Sequence, residues 1–236
     1  GIIQARIKFP KTANGVWPAY WMMGNDYGKV GWPKCGEIDI VETGNADGIK
    51  NGTQTRHFGA TLHWGTGAGA AHKQYGKSYL APETNPLQND DYHIITMEWN
   101  GNFMQMFYDL EDFSVSAKNK ARFFSVSIPS STNTSDIGYY FQKPFFFIFN
   151  LAVGGNYTGI YNAGGITAMP NAGDEAKMYV DWVRVYQDAN DADAKYFTPD
   201  GNNITTNPST PDTPEAPDTK TEYGYWGSKA LDADGN

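Results

Sequence analysis

A chain of 236 residues can bury a large core, either as one big domain or as two small ones. Its net charge of −8 and pI near 4.9 exclude nucleic acid as a partner, because phosphates would be repelled. A single cysteine, Cys35, excludes a disulfide-stapled scaffold, and no apolar run of about 18 residues exists to span a membrane as a helix.

Ile2 to Phe9 opens the chain with clean alternation, Ile3, Ala5, Ile7 and Phe9 against Gln4, Arg6 and Lys8, the pattern of a half-buried strand. Further strands are expected at Trp17 to Met23, Gly36 to Glu42, His57 to Trp64, His93 to Trp99, Phe103 to Asp109, Phe145 to Val153 and Met178 to Tyr186. No stretch longer than about ten residues keeps a capped 3.6-residue period, so very little helix is expected. Short strands joined by Gly, Asn, Asp and Pro predict an all-β sandwich of two antiparallel sheets. Near Asp188 the composition changes. Residues 188–222 are rich in Asp, Asn, Thr and Pro, with Pro208, Pro211, Pro214 and Pro217 favouring an extended linker or a disordered tail. Residues 223–236 regain Tyr223, Tyr225 and Trp226, and read either as the start of another module or as a docked tail. Gly1 runs straight into a strand with no initiator Met, so the chain reads as a fragment or a processed form.

Glu37-Ile38-Asp39-Ile40-Val41-Glu42 places three carboxylates in what otherwise reads as a buried strand. So many like charges are costly unless hydrogen bonds or chemistry require them. Alternation sends Glu37 and Asp39 to one face and Ile38 and Ile40 to the other, leaving Glu42 on the wrong side. A β-bulge at Ile40 or Val41 restores Glu42 to the face of Glu37. The two glutamates then lie roughly 13 Å apart along the backbone, and side chains leaning inward bring their carboxyls to about 5–6 Å. That is the spacing of a retaining glycosidase, with Glu37 as nucleophile, Glu42 as general acid and then base, and Asp39 orienting Glu37. The competing reading is a solvated acidic strand face.

The flanks resemble glycoside hydrolase family 16, the laminarinase and lichenase group. The matching stretches are NGVWPAYWMMG (14–24), WPKCGEIDIVE (32–42), GATLHWG (59–65), KPFFFIFNLAVGGNYTG (143–159) and VDWVRVYQ (180–187). The resemblance covers residues 1–187. It implies a concanavalin A-like β-jelly roll with a cleft that binds β-glucan, and the six-residue bulged motif is similar to the laminarinase branch. Trp17, Trp21 and Trp32 match or neighbour cleft positions; the competing reading for each is core, most strongly for Trp21. His63 shares a face with Thr61 and matches a family histidine near the acid/base, with a purely structural role as the alternative. Asn150 and Asn156 flank a Gly-Gly turn that the family places near the cleft. His57, His72 and His93 lack metal-ligand spacing and read as structural or surface residues. No cofactor is expected, although a structural calcium is implied by family members, with Asp181 at one ligand position.

The resemblance also implies that several family strands precede the segment matching Gly1, so an active enzyme is expected to need residues absent from this chain. The activity expected is retaining endo-hydrolysis of β-1,3-glucan or mixed-linkage β-1,3/1,4-glucan, by a secreted or cell-surface protein. Two alternatives stand beside it: hydrolysis of a galactan of the agarose or carrageenan type, and non-catalytic β-glucan binding. Oligomeric state cannot be read from the residues.

Overall fold

The computed structural model describes residues 1–187 and, beyond them, two paired two-residue strands at Tyr196–Phe197 and Asn203–Ile204. By its contacts the chain divides after Val185. The remainder of the expected linker (188–222) and the closing segment (223–236) lie outside the described residues.

Residues Gly1–Val185 form two five-stranded antiparallel sheets. In one sheet, β1 (Ile2–Lys8) lies between β10 (Tyr179–Tyr186) and β6 (His93–Trp99), followed by β7 (Phe103–Tyr108) and β8 (Arg122–Ser127). The other runs β5 (His72–Leu80), β4 (His57–Gly65), β3 (Glu37–Thr43), β2 (Val16–Gly24) and β9 (Phe145–Val153). Among the described residues α-helix is confined to three short pieces, α1 (Tyr27–Val30), α2 (Ala46–Asn51) and α3 (Val115–Ala121), beside three single 3-10 turns. Among the described residues no helix is long and apolar enough to cross a membrane.

The alternation predicted for the first strand is present: Ile3, Ala5 and Ile7 are buried and their neighbours only partly so. Its core face meets Ile95 and Met97 of β6 and Met104 and Met106 of β7 in one cluster. Tyr20 and Met22 of β2, Ile38 of β3, and Phe58, Ala60 and Leu62 of β4 close that cluster from the opposite sheet. Burial of these side chains, at about 25 cal/mol per Å² of apolar surface, is what holds the layers together. The other face of the second sheet carries carboxylates, histidine and small residues together with large side chains such as Trp21 and Phe146. His93 belongs to the core side: it is 2% exposed and bonds Asp109 at 2.8 Å, a structural histidine as expected.

The end of β3 is set by Gly44. Its φ is +93°, and a Cβ there would lie 2.1 Å from the Val16 carbonyl oxygen, so only glycine fits the turn. Asn45 then caps α2, its Oδ1 accepting from Gly48 N at 2.6 Å. The carboxylate strand is thereby pinned at its exit.

Candidate active site

Cross-strand register lays the outer face of the second sheet out in three rows. Asn150, Ala19, Glu42, Gly59 and Ser78 form the first; Ile148, Trp21, Asp39, Thr61 and Gly76 the second; Phe146, Met23, Glu37, His63 and Gln74 the third. All three carboxylates therefore share one face. The pairing slips between Asp39, opposite Thr61, and Glu42, opposite Gly59, so three steps on β3 match two on β4. On the other side, Val41 pairs with Tyr20 and Asp39 with Trp21, leaving Ile40 as the extra residue. Ile40 and Val41 are both fully buried. Two consecutive residues pointing into the core are what return Glu42 to the outer face.

The two glutamates live in different surroundings. Glu42 is flanked across the sheet by two small residues, Ala19 and Gly59. The Trp17 indole donates to its Oε1 at 2.9 Å. Burial, with the charge of Asp39 added, pushes the Glu42 carboxyl up to about 8 against the pull of that hydrogen bond. At neutral pH it keeps its proton. Glu37 is raised more modestly by burial, offset by His63 and by a hydrogen bond from Trp32. Asp39, 4% exposed, is held well above the usual carboxylate range by burial and by Glu37. His63 Nε2 stands 3.2 Å from Asp39 Oδ2 and 3.8 Å from Glu37 Oε1. This arrangement can offer one charged carboxylate and one protonated carboxyl to the same bound molecule.

The structure brings together most of the residues that the sequence singles out, with differences in detail. Trp17 reaches Glu42 and Trp32 reaches Glu37, so the two indoles serve opposite ends of the motif. Trp21 donates to Asn150 Oδ1 at 2.6 Å, so these two support each other beside the carboxylates. Asn156 is exposed and accepts from the Tyr161 hydroxyl at 3.0 Å instead. His63 stands nearest Asp39 and Glu37, and it also interacts electrostatically with Glu42. Glu37, Asp39 and His63 are the described group whose potential ligand atoms converge, all within 4.8 Å, and His63 lies at ion-pair distance from both carboxylates. Asp181 bonds Arg6 at 2.5 Å and belongs to no such group among the described residues.

Two further residues join the site without having been singled out. Tyr157 stacks on Trp17, with ring centroids 4.9 Å apart and planes at 14°, and its hydroxyl donates to the Glu42 carbonyl oxygen at 3.0 Å. Its own carbonyl accepts from Ala46 N at 2.8 Å, docking the loop after β9 onto the start of α2. Tyr157→Phe keeps the stack and is expected to cost about 1 kcal/mol in denaturant unfolding. Tyr157→Ala removes the plane supporting Trp17 and is expected to lower kcat roughly tenfold, read from initial hydrolysis rates. The second addition is His72, expected at the surface or in a structural role, which lies against His63 and Trp32.

Residues 2–102 match the family model described as "XgeA-like, catalytic GH16 domain". A GH16 structure from Bacteroides ovatus, described as a mixed-linkage glucan protein in complex with a G4G4G3G product, is 36% identical. It aligns with a TM-score of 0.65 over 78% of this chain and 68% of that one. The chain belongs to glycoside hydrolase family 16. Its two-sheet architecture is the β-jelly roll of these GH16 neighbours. Among curated relatives, the clotting factor G alpha subunit of Tachypleus tridentatus is 35% identical over 80% of this chain. Glucan endo-1,3-beta-glucosidase A1 of Niallia circulans shows the same identity and coverage. The chain spans about a quarter of the length of each, 23% and 24% respectively.

Proposed function

We propose that this GH16 domain is a retaining endo-β-glucanase that cleaves β-1,3-glucan or mixed-linkage β-1,3/1,4-glucan by double displacement. The observation that carries it is the pairing on one sheet face of Glu37, hydrogen-bonded by Trp32, with a buried Glu42 that holds its proton to about pH 8. Glucan hydrolase relatives and a product-bound neighbour support the substrate class.

Glu37 attacks the anomeric carbon as Glu42 passes its proton to the departing glycosidic oxygen, leaving a glycosyl ester on Glu37. Glu42, now a carboxylate, takes a proton from water; that water attacks the same carbon and frees Glu37. Asp39 stays beside Glu37 and holds its orientation. A polymer substrate cannot enter a cell, so the proposal places the protein outside it, secreted or at the surface.

The test is reducing-sugar release from laminarin, lichenan and agarose, with the anomer of the first product followed by NMR. The β-anomer from either glucan is the expected result. An α-anomer would overturn retention, release from agarose alone would point to a galactanase, and binding without release would indicate a glucan-binding protein. A bell-shaped pH profile of kcat/KM is expected. Its alkaline limb falls near pH 8 as Glu42 loses its proton, and its acid limb lies above the ordinary glutamate value because Glu37 is raised.

A further inference from the structure

The β4–β5 hairpin carries a second histidine to the nucleophile's neighbour. His63 Nδ1 lies 2.9 Å from His72 Nε2, and the two rings stack with centroids 5.1 Å apart and planes at 22°. The Trp32 ring lies tilted against His72 at 4.7 Å and against His63 at 6.1 Å, so the three rings form one cluster. On its far edge His63 turns Nε2 toward Asp39 and Glu37, at 3.2 and 3.8 Å. Each nitrogen of His63 thus has its own partner.

A contact of this length between two imidazole nitrogens holds one proton, with one ring donating and the other accepting. The carboxylates favour one arrangement, and the outer ring can hold it. An ionised carboxylate only accepts, so against any negative charge on the Glu37–Asp39 pair a bare Nε2 would set lone pairs against lone pairs. With its proton on Nε2, His63 donates to the carboxylates, and its Nδ1 is then free to accept from His72. The same logic makes the outer hydrogen bond of a metal-binding or catalytic histidine select the tautomer at its inner nitrogen.

We propose that His72 is a positioning residue for the nucleophile: it donates Nε2–H to His63 Nδ1 and so holds His63 in the tautomer that turns Nε2–H toward Asp39, beside Glu37. The kinetic part of this inference rests on the hydrolase reading above; the tautomer does not. The direct measurement is a long-range ¹H–¹⁵N correlation spectrum of the histidine rings. In the wild type, His63 Nε2 is expected to be the protonated, pyrrole-type nitrogen and Nδ1 the pyridine-type one. His72→Phe keeps a ring against Trp32 but no donor, and is expected to mix the His63 tautomers. Its kcat on laminarin should fall roughly three- to tenfold, with KM changed less than about twofold. His72→Gln returns an N–H donor at comparable reach and is expected to restore most of that loss.

A wild-type proton on His63 Nδ1 would overturn the inference, as would unchanged His63 nitrogen shifts in His72→Phe. Equal losses in the Phe and Gln variants would overturn it too, since bulk packing would then account for them. If His72→Phe does not fold, the wild-type spectrum decides alone. If the wild type hydrolyses nothing, the hydrolase reading has failed, and the spectrum still decides the role of His72.

Discussion

Glu37→Gln and Glu42→Gln are each expected to lower kcat on laminarin by more than about a thousandfold, through different steps. Both replacements keep the shape of the side chain. The Glu37 amide cannot attack the anomeric carbon, so no glycosyl ester forms with any substrate. The Glu42 amide cannot protonate a sugar leaving group, but a phenolate needs no such help. With an aryl β-glucan oligosaccharide, Glu42→Gln is therefore expected to release one burst of phenolate and then stall, for want of a base to activate water. Glu37→Gln should give no burst. Stopped-flow absorbance separates the two, and undiminished hydrolysis in either variant would sink the double-displacement mechanism.

The same Glu42→Gln change is expected to stabilise the fold. A carboxyl whose folded pKa lies above its unfolded one binds its proton more tightly when folded. Its burial cost is therefore absent below the ordinary value of 4.5 and grows as pH rises toward about 8. At pH 7 that cost is on the order of 2–4 kcal/mol. Gln carries no charge to suppress and still offers Trp17 an acceptor oxygen. The variant's Tm should exceed that of the wild type by roughly 5–10 °C at pH 7 to 8. The gap should close toward pH 4. A gap independent of pH would show that something other than the buried carboxyl is responsible. Such an exchange of stability for activity is the usual cost of an active-site charge.

Much of this was readable from the residues, where local pattern and packing agree. The alternation of Ile3, Ala5 and Ile7 reports a face that must be buried, and β1 follows it. The parity of the carboxylate strand required a bulge at Ile40 or Val41, and both residues do turn inward there. The legible part ends where burial stops shaping composition. β5, HKQYGKSYL, lies at a sheet edge with most of its side chains exposed, so it had no apolar alternation to show. Tyr157 was missed for another reason. Its partner Trp17 lies 140 positions away, and only the closed sheet, with β9 beside β2, brings them together. His72 had a weaker signal available: a hairpin starting at His57 returns the chain beside His63. Asp181 pairs with Arg6 on the neighbouring strand, a contact that only the sheet order reveals.

The extra residue in β3 also bears on insertions and deletions. Ile40 and Val41 together occupy the ladder space of one residue between Thr61 and Gly59. Removing Val41 would leave Glu-Ile-Asp-Ile-Glu in strict alternation, with every later residue still opposite its present partner. The acidic groups would stay outside and the chain would lose one buried valine. Most single-residue deletions in a strand turn the core inside out, because they reverse every side chain beyond them. At this one position a deletion only tightens the spacing of the two glutamates. A five-residue form of the motif is thus one codon from this strand, and the catalytic frame can change length without a change of fold.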